Sequence, residues 1–135
     1  LKVGRTDEGA AACLRAVELG LDDVSTLLQL ARLFERLKRL VNAVVAYERV
    51  VQLDPDRAEA HVQLALALTE LGEHQRAVDA YQEALLLEPD NARLRYGLGV
   101  GYANLGNNAA ARKQHEALQA LDADLAEELL FVIES

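Results

Sequence analysis

Small and apolar residues recur along this chain with a period of 34 residues. Residues 24–57, 58–91 and 92–125 align with one another without any insertion or deletion. The apolar positions favour helices, because leucine, alanine and valine dominate them and only two prolines interrupt the whole chain. The pattern therefore predicts three consecutive copies of one helical unit.

The three blocks carry related residues at matching places. They are Leu30, Ala31, Phe34, Ala43, Tyr47, Val50 and Pro55 in the first block, Leu64, Ala65, Leu68, Ala77, Tyr81, Ala84 and Pro89 in the central block, and Leu98, Gly99, Tyr102, Ala111, His115, Leu118 and Ala123 in the third. This pattern resembles the tetratricopeptide repeat (TPR) family, in which repeat positions 7, 8, 11, 20, 24 and 27 are small or apolar and position 32 is often proline.

The resemblance implies an all-α fold, a right-handed superhelical array of antiparallel helix hairpins with a C-terminal capping helix. Small residues at positions 8 and 20 let the two helices of a hairpin approach, while larger residues fill the seam between them. One hairpin cannot bury both of its faces, so neighbouring repeats have to stack. The predicted units are a repeat at residues 24–57, a repeat at 58–91, a repeat at 92–125 and a capping helix at 124–135.

The two ends of the chain do not fill whole repeats. Carrying the register backwards places Gly4, Ala16 and Leu19 at positions 15, 27 and 30 of a preceding repeat. We therefore expect residues 1–23 to be the second helix of a truncated repeat and, since the chain contains no methionine, interpret the sequence as a fragment. The last helix is expected to cover the third repeat, and four of its apolar residues would be partly exposed if nothing follows: Leu129, Leu130, Val132 and Ile133.

Local signals mark the ends of the predicted helices. Gly72 and Gly106 fall at position 15, where a left-handed residue ends the first helix of a repeat. Lys38 holds that place in the first block, so we expect its turn to close differently. Two pairs have the spacing of capping boxes at helix starts: Asp56 with Glu59, and Asp124 with Glu127.

Composition and charge narrow the function. A chain of 135 residues that is 51% hydrophobic has enough apolar surface to bury one modest core. The formal charge of -8 argues against nucleic acid, because affinity for the phosphate backbone comes from lysine and arginine. Residues 1–57 hold nine basic and nine acidic side chains, whereas residues 58–135 hold five and thirteen, so the net negative charge lies in the second half.

No apolar stretch approaches the roughly 20 residues that cross a bilayer, and no basic-then-apolar leader opens the chain. We therefore expect a soluble protein without membrane insertion. The single cysteine, Cys13, is interpreted as a small buried residue of an alanine-rich helix. It does not decide between cytoplasm and periplasm, of which we favour the cytoplasm.

Residues suited to catalysis or metal binding are sparse. None of His61, His74 and His115 stands at metal-ligand spacing from another histidine or from the cysteine, so surface or packing roles account for them better. The carboxylates are spread over helix starts and outer faces, and no pair stands out as an acid and a base. We therefore expect no enzyme activity, no cofactor and no metal.

Three alternating glycines, Gly97, Gly99 and Gly101, lie inside a predicted first helix. A dinucleotide-binding glycine loop instead follows a strand and opens a helix, so this run does not predict nucleotide binding. Each glycine in a helix interior costs roughly 1 kcal/mol relative to alanine. Two explanations remain open: tight packing against the neighbouring helix, or a groove floor lowered at Gly97 so that a partner approaches the backbone.

The resemblance also implies a binding site, because the first helices of successive TPR repeats line a concave groove. At groove positions 5 and 9, five of the six side chains are apolar, which predicts an apolar stripe for an amphipathic helix or extended peptide of a partner protein. Partial packing of these side chains on their neighbours is the alternative. The groove residues are Leu28, Gln29, Arg32, Arg36, Val62, Gln63, Leu66, Arg93, Tyr96, Gly97, Val100 and Asn104.

One TPR subfamily grips the acidic C-terminal tail of heat-shock chaperones through a clamp of lysine, asparagine and arginine side chains. The corresponding residues here are Leu28, Arg32, Gln63, Arg93 and Gly97. The departures at Leu28 and Gly97 disfavour that clamp, although Arg32 and Arg93 retain the charge to hold one carboxylate of a peptide.

A basic patch in the first repeat contains Arg32, Arg36, Lys38 and Arg39. It is either a solvated helix end or a surface that orients an acidic partner. Two other functions also stay open. One is a self-assembly module that forms homo-oligomers by end-to-end stacking of repeats, and the other is an accessory repeat region of a larger enzyme.

Overall fold

The computed structural model describes Arg15, Leu19, Gly20 and residues 22–135. Regular structure in this part of the chain is entirely α-helical. The helices are α1 (Val24–Arg36), α2 (Leu40–Leu53), α3 (Ala58–Glu70), α4 (His74–Leu87), α5 (Ala92–Asn104), α6 (Asn108–Leu121) and α7 (Ala123–Glu134). The truncated repeat predicted over residues 1–23, with Gly4, Cys13 and Ala16, lies almost entirely outside the described residues.

The helices pack in the order of the chain. α1 packs on α2, α3 on α4 and α5 on α6 as hairpins, while α2 also packs on α3 and α4 on α5, which joins each hairpin to the next. The fold is therefore an all-α superhelix of helical repeats, as the sequence predicted.

Small residues hold the paired helices close together. Ala31, Ala43, Ala65 and Ala77 are at most 1% exposed, so no larger side chain separates the helix backbones at these points. Larger side chains such as Phe34 fill the seams beside them, and a single core cluster extends from α1 into α5. This packing contributes most of the stability of helices that are too short to be stable alone.

A second, smaller core lies at the C-terminal end, where α7 covers α5 and α6. It contains Ala111 and Leu118 of α6 together with Ala126, Leu129 and Ile133 of α7. Leu129 and Ile133 are buried, so the prediction that they stay partly exposed is wrong, whereas Leu130 and Val132 are half-buried. Phe131 is the large apolar residue of α7 that points outwards, with 76% of its surface exposed.

The turns inside the three hairpins share one conformation. Gly72 and Gly106 have φ of +79° and +78°, which confirms that left-handed residues follow α3 and α5. Lys38 also has a positive φ, of 60°, and the Arg39 N–H donates to the Phe34 carbonyl at 2.8 Å. The same hydrogen bond follows both glycines. The expectation that the first turn closes differently is therefore wrong.

The helix starts differ from both predicted capping boxes. The residue that precedes α3 is Arg57, so Asp56 lies one residue too early to cap this helix. The cap of α7 is Asp122, whose side chain accepts a hydrogen bond from the Leu125 N–H at 3.2 Å, rather than Asp124. Both predictions placed the start of a helix correctly only to within one or two residues.

α7 departs from the geometry of the repeats. One residue separates α6 from α7, whereas four residues separate α2 from α3 and α4 from α5. Ala123, the first residue of α7, stands where the earlier repeats have Pro55 and Pro89 within the longer turn. After this short turn α7 packs on α5 as well as on α6. Among the described helices, neither α1 with α3 nor α3 with α5 packs comparably.

Candidate functional site

A pocket of about 500 Å³ opens between α3, α5 and α7. We call it the central pocket. Its walls come from the first helices of two repeats and from α7, and its floor comes from α4. The lining residues are Val62, Leu66, Thr69, Tyr81, Arg93, Leu94, Tyr96, Gly97, Val100, Leu125 and Glu128.

Tyr81 of α4 forms the floor of this pocket against the backbone of α5. A Cβ atom at Gly97 would lie 2.5 Å from Cζ of Tyr81 and 2.9 Å from its hydroxyl oxygen, so only glycine fits there without movement of the ring. Burial raises the pKa of Tyr81 above its ordinary value, and the nearby Thr69 side chain has a smaller, opposite effect. The floor is therefore an uncharged phenol at neutral pH.

The other two glycines of α5 make equally close contacts. A Cβ atom at Gly99 would lie 2.5 Å from Cδ2 of Leu129, and one at Gly101 would lie 2.7 Å from Cγ2 of Val78. Gly97 and Gly101 thus admit α4, and Gly99 admits α7. Of the two explanations left open by the sequence, the structure supports tight packing, which offsets the low helix propensity of glycine.

The walls of the central pocket are apolar. Val62 and Leu66 lie four residues apart on α3, and Tyr96 and Val100 lie four residues apart on α5, so each pair shares one face of its helix. Leu66 is 44% exposed, and the other three are half-buried. Water therefore reaches a connected apolar surface, which is unusual outside binding sites.

Two charged side chains line the central pocket. Arg93 stands in the first turn of α5, and Glu128 stands on α7. Both are exposed, and neither forms an ion pair with any described residue. The pocket thus combines an apolar interior with one cation and one anion that remain available to a ligand.

Half of the predicted groove residues meet at the central pocket. These six are Val62, Leu66, Arg93, Tyr96, Gly97 and Val100. Gln63 lines a smaller pocket of about 200 Å³ that shares Leu66 with the central pocket.

The remaining predicted groove residues lie elsewhere. Gln29, Arg32 and Arg36 line a separate depression on α1, and Arg32 forms an ion pair of 3.1 Å with Glu59. Leu28 is buried in the main core and lines neither the central pocket nor the depression on α1. Asn104 is exposed at the end of α5, where its side-chain nitrogen lies 3.4 Å from Nδ1 of His74.

The sequence prediction missed five lining residues, which are Thr69, Tyr81, Leu94, Leu125 and Glu128. Tyr81 belongs to the second helix of its repeat, which is not expected to line the groove. The one feature of the sequence that indicates its place in the pocket is Gly97, which makes room for the ring. Leu125 and Glu128 reach the pocket because α7 packs on α5, which the repeat pattern does not encode.

The described part of the chain brings no three His, Cys, Asp or Glu side chains together in a way that holds a metal ion. His61 is buried, with Nε2 2.8 Å from the Pro55 carbonyl oxygen, and so has the packing role expected for a histidine of this kind. None of the described helices combines the length and apolar character needed to cross a membrane.

The stacked hairpins define a protein of the helical-repeat class, with a repeat of 34 residues. Two family models match the sequence of this chain. One is described as TPR repeat and matches residues 65–106, and the other is described as tetratricopeptide repeat and matches residues 24–67. The chain belongs to the tetratricopeptide repeat family.

Several solved structures share this fold. MamA is 23% identical, with 98% of this chain and 87% of that chain covered and a TM-score of 0.71. YrrB, described as a TPR protein with an unusual peptide-binding site, is 21% identical, with 93% and 66% covered and a TM-score of 0.73. The TPR2B domain in the pHsp70 complex of yeast Sti1 is 19% identical, with 82% and 93% covered and a TM-score of 0.69. No curated protein sequence matches the chain.

Proposed function

We propose that this protein is a non-catalytic interaction scaffold that binds a peptide or helix of a partner protein in the central pocket. The observation that carries the proposal is the apolar surface between α3, α5 and α7, where Leu66 is 44% exposed beside half-buried valine and tyrosine side chains. A ligand that covers this surface gains about 25 cal/mol for each Å² of apolar area removed from water.

The size of the pocket fits an anchoring side chain rather than a whole domain. Its volume of about 500 Å³ can accept one or two apolar side chains of a partner segment. The walls belong to helices that are fixed by buried side chains, so little order has to be gained on binding. We expect an affinity of about micromolar, which corresponds to about -8 kcal/mol.

Two proteins of the same fold support an interaction role. YrrB is described as having a peptide-binding site, and the TPR2B domain of yeast Sti1 is described in a complex with pHsp70. Their shared architecture with this chain makes a protein or peptide the ligand class that we favour over a small metabolite.

The proposal is tested by a pull-down from lysate of the source cells with identification by mass spectrometry. The pocket variant carries Leu66→Glu and Val100→Glu. The matched control carries Leu86→Glu and Phe131→Glu, because both residues are about three-quarters exposed and neither lines the central pocket. Circular dichroism establishes that both variants are folded.

A partner that is captured by the native chain and by the control, but not by the pocket variant, supports the proposed site. A partner that all three proteins capture contradicts it and moves the interaction to the outer helices or the helix ends. Loss of the partner in the control variant alone also contradicts the proposed site and moves the interaction to the outer helices or the helix ends.

A second candidate function is self-association through the outer face of α7. The observation that favours it is Phe131, which is 76% exposed on the last described helix of the stack. Light scattering over a range of concentrations tests it, since a mass that grows with concentration in the native chain and stays monomeric in Phe131→Glu supports this alternative. A constant monomeric mass of the native chain contradicts it.

A further inference from the structure

We infer that the bound segment is a cationic amphipathic peptide and that Glu128 on α7 selects its positive charge. This inference rests on the proposed binding function. It gives the last helix a specific task in recognition, in addition to its task of covering the C-terminal core.

α7 is held firmly as a wall of the central pocket. Leu129 is fully buried and fits against Gly99, while Ala126 packs in the same C-terminal core. Leu125 and Glu128 lie on the adjoining face of α7 and line the pocket. Since the buried face is anchored to α5, the carboxylate of Glu128 is presented beside the apolar interior from a fixed backbone.

This wall carries negative charge only. Within Ala123–Glu134 there are four acidic side chains, at residues 124, 127, 128 and 134, and no basic one. Residues 58–135 as a whole hold five basic and thirteen acidic side chains. The floor adds no charge, because Tyr81 is a neutral phenol whose pKa is raised by burial.

Two arginines lie near the groove, and neither forms an ion pair with Glu128. Arg32 is already paired with Glu59 at 3.1 Å and lines a different depression on α1. Arg93 lies on the α5 side of the central pocket and forms no ion pair with Glu128. A ligand that fills the apolar interior therefore meets an unpaired carboxylate on one wall.

The ligand that complements this arrangement has an apolar side chain in the pocket and a lysine or arginine close to it in sequence. The apolar side chain supplies the affinity, whereas the cation beside Glu128 supplies specificity and a faster association that slows with added salt. An acidic segment would place like charges together at the same wall.

The inference is tested with a random-peptide library displayed on phage, selected on the native chain. Peptides that also bind the variant with Leu66→Glu and Val100→Glu are discarded. We expect the remaining, pocket-dependent peptides to be enriched in lysine and arginine next to apolar residues. Their affinities are then measured by fluorescence anisotropy with synthetic copies.

Two charge reversals on α7 provide the matched comparison. Glu127→Lys and Glu128→Lys change the net charge equally at adjacent exposed residues, but only Glu128 lines the central pocket. We expect Glu128→Lys to weaken a selected basic peptide by about fivefold more than Glu127→Lys does.

Three outcomes separate the inference from the function on which it rests. Basic pocket-dependent peptides that are sensitive to Glu128→Lys support both. Pocket-dependent peptides that are acidic or uncharged, or that respond equally to the two reversals, overturn the charge selection and leave the binding site intact. If every selected peptide binds the pocket variant as well as the native chain, the proposed site itself is refuted, and the inference with it.

Discussion

The contact between Gly99 and Leu129 leads to a prediction about Gly99→Ala. Its effect on the free energy of unfolding should be destabilising in the native chain and stabilising when Leu129 is truncated. In the native chain, a Cβ atom at Gly99 would lie 2.5, 2.9 and 3.2 Å from Cδ2, Cδ1 and Cγ of Leu129. Gly99→Ala gains about 1 kcal/mol of helix propensity. It also overpacks the C-terminal core, which costs about 2 kcal/mol. We therefore expect a net destabilisation of about 1 kcal/mol.

In a Leu129→Ala background the same substitution should stabilise. Leu129 is fully buried, and its truncation to alanine costs about 3 kcal/mol because a cavity is left opposite a residue without a side chain. The three atoms nearest to a Cβ atom at Gly99 are then absent, so the helix-propensity gain of about 1 kcal/mol remains. The coupling free energy between the two sites is thus about 2 kcal/mol.

The assay is urea denaturation followed by circular dichroism for the native chain, both single variants and the double variant. Gly101→Ala serves as the control, because its Cβ atom would meet Val78 rather than Leu129. Its effect on the free energy of unfolding should be the same in both backgrounds. If Gly99→Ala also has the same effect in both backgrounds, the close contact does not govern the packing of α7 and the reasoning is refuted.

Three further predictions concern single residues. Lys38→Gly should stabilise by about 1 kcal/mol in thermal denaturation, because Lys38 has a φ of 60°, and no gain would contradict a strained turn. Asn91→Ala should destabilise by about 1 kcal/mol in the same assay, since the Asn91 side chain accepts a hydrogen bond from the Arg93 N–H at 3.1 Å, and an unchanged melting temperature would show that this cap is dispensable. Stability should fall as pH rises above about 10, because the raised pKa of Tyr81 keeps the phenol protonated in the folded state, whereas the unfolded chain loses the proton. Tyr81→Phe should reduce this fall, and an identical pH profile of the variant and the native chain would contradict the role of Tyr81.

The period of 34 residues predicted the helical pairs because packing between helices depends on the size of a few side chains. Ala31 and Ala65 indicate where the two helices of a hairpin approach closely, whatever the surrounding residues are. Gly72 by itself indicates a left-handed turn. The turn at Lys38 was predicted wrongly because lysine adopts there the positive φ that its residue type disfavours, with the same turn hydrogen bond as at the glycines.

The candidate site was less accessible to sequence reasoning than the fold. Leu28 and Val62 hold the same position in their repeats, yet Leu28 is buried in the core and Val62 lines the central pocket. The environment of a repeat position therefore depends on its neighbours in space. Leu125 and Glu128 were missed for a related reason, since they reach the pocket only through the short turn at Asp122.

The double role of α7 makes occupancy of the proposed site measurable in the hydrogen exchange of this helix. The helix closes the C-terminal core with Leu129 and faces the central pocket with Leu125, so a bound segment opposes any local opening of α7. At a ligand concentration of 100 times Kd, this linkage amounts to about 2.7 kcal/mol. Backbone amides of α7 that exchange with deuterium through local opening would then exchange about a hundredfold more slowly. Deuterium exchange of α7 is thus a second readout of the proposed binding.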